Sequence, residues 1–208
     1  VYNGSDFGQD DPPTEGILRQ KLGLPDEVFL LGVVGRIAKD KGQDLALEAL
    51  VLLMDRFPKL HLALIGRTAE SEFEAALKSR ATLKGLAKRV HFIGSQNRLV
   101  PIVDSLDLLL VPSVRESFGL AALEAMLRGK AVVAAQVGGL PEVVQHEVTG
   151  LVLVRDPMVW ADAIASLLEC PEKLEAMGLK GRASAKEKFS AEKMITSLES
   201  VYSEAVQR

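Results

Sequence analysis

Two carboxylates eight residues apart, Glu116 and Glu124, bracket a Phe-Gly pair in the stretch RESFGLAALEA. Glu124 falls among Ala121, Ala122, Leu123, Ala125, Met126 and Leu127, a run that leaves a helix almost no polar side, so solvation alone accounts poorly for it. A carboxylate accepts two hydrogen bonds and therefore matches a vicinal diol, the group that a ribose and a hexose both present. If the segment were helical throughout, a rise of about 1.5 Å per residue would place the two carboxylates at most roughly 12 Å apart. That span suits a sugar joined through a diphosphate to a nucleoside. Between them, Gly119 removes a side chain at the expected helix start near Phe118, so the amides of Gly119 and Leu120 can approach a diphosphate at the positive end of the helix dipole.

A second loop, GRIAKDKG, carries Arg36, Lys39 and Lys41 just before a helix that begins near Gly42. Cationic side chains beside free helix amides make an anion site. Lys39 reads as an ordinary solvated lysine. Arg36 follows an apolar strand directly, with Gly35 before it, and its planar guanidinium suits a phosphate or carboxylate. The spacing is neither that of a Walker loop nor that of a Gly-x-Gly-x-x-Gly dinucleotide turn. In a third loop, QVGGLPEVV, Gly138 and Gly139 fit close approach to a ligand and ordinary turn chemistry equally well. His61, His91 and His146 show no spacing for zinc or a catalytic triad, and Cys170 has no base or metal partner nearby, so all four read as structural.

The elements that must position these loops alternate along the chain. Apolar runs at 28–36, 60–66, 89–94, 107–113, 131–136 and 149–154 are separated by helical patterns at 43–57, 70–87, 99–106, from Phe118, and after Pro141. Near-continuous apolar strands are what a sheet buried on both faces requires. The expected fold is therefore α/β: a doubly wound parallel six-stranded sheet with C-terminal helices and a ligand crevice at the carboxyl ends of the strands. Residues 1–16 read as a linker, 17–190 as the folded domain, and 191–208 as a helix whose stripe of Met194, Ile195, Leu198, Val201 and Tyr202 calls for a partner.

Bulk properties narrow the function classes. The 208 residues carry a net charge of -3 with 48% hydrophobic and 25% charged residues, which argues against a nucleic-acid partner. One cysteine suits a reducing compartment, and no apolar run approaches the roughly 20 residues of a membrane span, so the expected location is cytoplasmic.

Taken in order, GRIAKDKGQDLALEA, LIG, RVHFIG, VPSVRESFGLAALEAMLRGKAVVAAQVGGLPEVV and TGLVL resemble the carboxyl-terminal domain of retaining glycosyltransferases with the two-domain GT-B fold. VYNGSDF resembles the hinge segment where that family passes from its first domain to its second, with Ser5 in place of the usual small apolar residue. The resemblance implies a Rossmann-like half of a GT-B enzyme that transfers a hexose from a UDP or GDP sugar to an acceptor. It implies no metal and no cofactor other than the nucleotide sugar itself, which is the donor substrate.

Arg36 and Lys41 would neutralise the leaving diphosphate, and Glu116 would contact the donor sugar. Glu124 would hold the ribose, and Gly35, Phe118, Gly119 and Leu120 would border the phosphates and sugar. The backbone at Phe92 and Ile93 would border the base. The resemblance also implies an N-terminal acceptor-binding domain upstream of Val1, with room for peripheral membrane contact through it, and a final helix that crosses back to that domain. Two other functions remain open at this point: a non-catalytic nucleotide-binding module, and half of a sugar-nucleotide epimerase of GT-B shape, for which the histidines are badly placed.

Overall fold

The computed structural model describes residues 1–9, 11–14 and 16–206. Each of the six apolar runs forms a strand: β1 (Phe29–Val34), β2 (Leu60–Ile65), β3 (Val90–Gly94), β4 (Leu108–Val111), β5 (Ala131–Ala135) and β6 (Gly150–Leu153). All neighbours pair in parallel, in the order β3-β2-β1-β4-β5-β6. Leu30, Leu31, Leu62, Leu64, Leu108, Leu109, Val132 and Val133 are buried, so both sheet faces are covered and neither can carry the alternation of a half-solvated strand.

The crossovers are α2 (Gln43–Leu53), α3 (Ser71–Leu83), α4 (Val100–Asp104), α5 (Leu120–Leu127) and α6 (Leu140–Val143), preceded by a short α1 (Ile17–Leu22). The helical patterns at 43–57 and 70–87 stop short of their expected ends, at Leu53 and Leu83. After the second, Gly85 turns left-handed and Leu86 N–H closes on the Ala81 carbonyl at 2.7 Å. Beyond the sheet come α7 (Pro157–Leu168), α8 (Pro171–Lys188) and α9 (Ala191–Val206). Asp156 caps α7, its Oδ1 accepting from the amides of Met158 at 2.9 Å and Val159 at 3.0 Å. Trp160, fully buried, donates Nε1–H to the Val154 carbonyl at 2.9 Å and pins that helix to the end of β6.

The described part of the 1–16 segment is docked on the domain. Arg128 holds Asp104 through two bonds of 2.7 Å, a pair whose side chains are each only 5% exposed. The same guanidinium donates to the carbonyls of Gly8 and Asp11, and Asp104 accepts from the Thr14 amide and hydroxyl. Burial raises the Asp104 carboxyl, but the bonds from Arg128 and Thr14 outweigh it and hold the group below the usual carboxylate range. Nearer the start, Ser5 N–H donates to the Phe189 carbonyl at 2.9 Å, and Asp6 Oδ1 accepts from Ala191 N–H at 3.2 Å at the head of α9. Of the segments named from sequence, Asp10, Glu15, Gln207 and Arg208 lie outside the described residues.

His61 and His91 meet across the β2–β3 ladder. Ala63 is the register partner of His91, and His61 shares its face two residues back. The rings stack with centroids 5.2 Å apart, and His61 Nδ1 lies 2.9 Å from His91 Nε2. Burial lowers both rings, His61 to about 4, with His91 and Arg89 adding to the effect at His61. Both are thus neutral in the fold at pH 7, whereas an unfolded histidine protonates near 6.5. From pH 6.5 down to about 4 the unfolded chain binds more protons, so stability falls as pH falls through that window. Replacing His61 with Gln is expected to flatten the melting temperature against pH between 7 and about 4.5; an unchanged slope would place the titration elsewhere.

Candidate active site

In a sheet of order 3-2-1-4-5-6 the chain leaves β1 toward β2 and returns later to β4, so the β1 and β4 ends flank the switch point. A cavity of about 330 Å³ opens there. Its walls are the end of β1 with Gly35 and Arg36, the end of β4 with Pro112 and Ser113, and the approach to α5 from Glu116 to Ala121. Lys41 and Asn3 complete it.

Lys41 Nζ donates to Glu116 Oε2 at 2.8 Å, and both side chains are largely buried. Ser113 Oγ–H reaches the same oxygen at 3.4 Å. Lys41, Glu116 and Ser117 also line a second, more open groove of about 540 Å³ with Arg115, Val137 and Gly138, so the ion pair is the partition between two spaces. Arg36 pairs at 3.1 Å with Asp40, both well exposed. An exposed pair of this kind is worth about 0.2–1 kcal/mol, too little to keep the guanidinium from an incoming anion.

Three loops are interlocked around Glu116. Gly42 packs directly on the Pro112 carbonyl, which also accepts from Arg155 Nε at 3.1 Å, and Val114 N–H donates to the Asp40 carbonyl at 2.8 Å. Gly139 N–H donates to the Glu116 carbonyl at 3.1 Å. A side-chain carbon on Gly138 would lie 1.7 Å from that carbonyl oxygen, and Gly138 has φ +51. What fills the space beside these glycines is the backbone of the loop that carries Glu116 and Ser117, so their close approach is to the chain itself, as turn chemistry allows. Helix α5 begins at Leu120 and not at Phe118, because Gly119 stands at its N-cap with φ 104, a left-handed value that ends the preceding loop.

Gly35, Arg36, Lys41, Glu116, Phe118, Gly119 and Leu120 thus come together, and Glu124, Phe92 and Ile93 lie outside the lining of this cavity. Glu124 is half-buried in α5, and its carboxyl has no hydrogen-bond partner among the described residues. Burial pushes its pKa up, so donors from a ligand would relieve an existing cost. Phe92 packs beneath Lys78, whose Nζ sits 4.9 Å from the ring centroid, and the Ile93 carbonyl accepts from Gln96 Nε2 at 2.9 Å.

Asn3 is a lining residue that spacing did not reveal. It reaches the cavity because Tyr2 packs on Phe118 at 6.3 Å and edge-on against Phe189 at 5.6 Å, contacts between distant parts of the chain. Gln43 was also missed. It is fully buried, donates Nε2–H to the Arg36 carbonyl at 2.7 Å, and leaves Oε1 with no partner among the described residues. An unpaired buried acceptor costs about 1–3 kcal/mol. Among the described residues no group of three or more His, Cys, Asp or Glu side chains is placed to hold a metal ion.

Residues 15–184 match the family described as Glycosyl transferases group 1. The chain belongs to this glycosyltransferase family. The D-inositol 3-phosphate glycosyltransferase of Corynebacterium efficiens is 36% identical over 193 residues, covering 90% of this chain and 45% of the relative. The group 1 chain therefore spans about half the length of such relatives.

Among solved structures, Anabaena Alr3699/HepE in complex with UDP and glucose superposes with a TM-score of 0.90 at 28% identity, over 98% of this chain and 56% of that one. The C-terminal domain of the group 1 protein LpcC from Francisella tularensis superposes with a TM-score of 0.76 at 25% identity, over 91% of this chain and 96% of that one. The architecture is that of the Rossmann-like half of GT-B glycosyltransferases. Among the described residues no helix is long and apolar enough to cross a membrane.

The interlock around Glu116 makes Gly138→Ala a sharp probe. The left-handed backbone alone should cost about 1–2 kcal/mol, and the new methyl must displace Glu116. Denaturant unfolding is expected to show at least that loss; full native stability would mean that the loops are free to separate.

Proposed function

We propose that this chain is the donor-binding half of a retaining glycosyltransferase that takes a hexose from a UDP or GDP sugar and passes it to an acceptor held by a domain N-terminal to it. The single observation that carries the proposal is the Lys41–Glu116 ion pair at the switch-point cavity, beside Arg36 and the Gly119 cap of α5. Breaking the glycosidic bond to the nucleotide builds negative charge on the departing diphosphate. Preorganised cations and helix amides stabilise that charge without reorganising at the moment of reaction. Arg36, Lys41 and the amides of Gly119 and Leu120 have the chemistry for this, and they do it without a divalent ion.

Once the diphosphate draws Lys41 away, Glu116 is left beside the sugar, where its carboxylate accepts from hydroxyls near the reacting carbon. Gly35 and Phe118 bound the same space. Glu124, half-buried in α5, faces the ribose in this reading, and the β3 end at Phe92 and Ile93 borders the base. That the solved HepE complex contains UDP and glucose supports a nucleotide-sugar donor. The apolar face of α9, with Ile195, Leu198, Val201 and Tyr202 all exposed, is assigned to the N-terminal domain.

Two measurements test the proposal. In the full-length protein, Glu116→Gln keeps the shape and removes the charge. Turnover is expected to fall by about 10²–10³, the range seen when one preorganised group is removed, and unaffected turnover would count against a catalytic role. The 208-residue chain by itself is expected to bind a nucleotide or its sugar conjugate in calorimetry and to transfer nothing; transfer by the isolated chain would refute the division of labour.

A further inference from the structure

Gln43 is out of place by polarity. It heads a helix whose other buried residues, Leu45, Ala46, Leu47, Ala49, Leu50 and Leu53, are all apolar. Methionine or leucine would fill similar space with no desolvated polar atom, so packing alone favours an apolar residue here. The orientation of the amide follows from its one bond: turned over, it would set its oxygen against the Arg36 carbonyl oxygen.

That bond falls in the loop carrying both cavity cations. Backbone hydrogen bonds hold the loop on either side: Gly35 N–H to Ile65 O and Ile37 N–H to Arg67 O at 2.9 Å, Lys41 N–H to Ala38 O at 3.0 Å, and Gly42 N–H to Lys39 O at 3.2 Å. The Arg36 carbonyl is held by a side chain from α2. Among the described residues the Arg36 side chain itself has only its exposed pair with Asp40 to confine it, although it lines the cavity.

We propose that Gln43 is a positioning residue for anion binding: by holding the Arg36 carbonyl it fixes the backbone from which the guanidinium leaves, and keeps that guanidinium directed at the cavity beside Lys41. The inference rests on the cavity being a diphosphate site. It adds a residue that touches no ligand and acts only through Arg36.

The test uses the chain as it stands, since a related C-terminal domain has been crystallised by itself. Calorimetric titration with UDP, GDP and ADP first identifies the nucleotide that binds. That nucleotide is then titrated into Gln43→Met, Arg36→Ala and the double variant, with Gln43→Leu as a second apolar replacement, and thermal unfolding is followed in parallel. Gln43→Met is expected to weaken binding about tenfold, equivalent to about 1.4 kcal/mol, with the melting temperature within about 4 °C of the parent. In the Arg36→Ala background the same change should cost less than about twofold, because the residue that Gln43 orients is gone.

A lower melting temperature with unchanged affinity in both apolar variants, or fully additive losses in the double variant, would overturn the role of Gln43 and leave the diphosphate site standing. Failure of all three nucleotides to bind the unaltered chain would overturn the site reading, and this inference with it.

Discussion

The structure depends on one constraint of parallel sheets: a strand buried on both faces must be joined to its parallel neighbour by a crossover, and crossovers from one strand can lead to only one side at a time. Here the chain leaves β1 for β2 and β3, and comes back to β4 on the other flank. The loops after β1 and β4 are thereby adjacent in space and remote in sequence, which is how Lys41 meets Glu116 across a separation of 75 residues. No local signal makes that pair. It exists because the sheet reverses its order between those two strands.

Around the reversal the backbone is clamped hard, and two of the charged side chains, Arg36 and Glu124, are held lightly. Gly42 against the Pro112 carbonyl and Gly138 against the Glu116 carbonyl admit no extra atom. By contrast, the Arg36–Asp40 pair is exposed, and the carboxyl of Glu124 is unpartnered among the described residues. A rigid frame with loosely committed charges suits a site whose strongest electrostatic partner arrives from outside.

The strands were legible because burial on both faces writes an uninterrupted apolar run, and each of the six runs became a strand. Periodicity predicted α5 at Phe118, two residues early, because it counts side chains and cannot see that Gly119 adopts φ 104. Arg36, Lys41 and Glu116 could be named from sequence, but the roles given to them came from a family resemblance and not from spacing. The His61–His91 contact needed the β2–β3 register, and Asn3 needed an aromatic cluster joining residues 2, 118 and 189, so neither had a local signature. Gln43 was visible as a polar letter before an apolar helix. Its burial is what makes it an anomaly.

Helix α9 raises a matter of cooperativity. It runs for 16 residues, and none of them is buried. Nucleating a helix is costly, and in proteins most of a helix's persistence comes from tertiary packing of its apolar face. Here Met194 Sδ accepting from Gly4 N–H and Asp6 at the first turn tether one end, and the exposed Val201, Tyr202 and Val206 mark the other. The helix is therefore expected to fray from its far end inward. Amide exchange along it would form a gradient, steep when the apolar face is bare and flat when something lies on it, which makes α9 a built-in gauge of whether this domain stands alone.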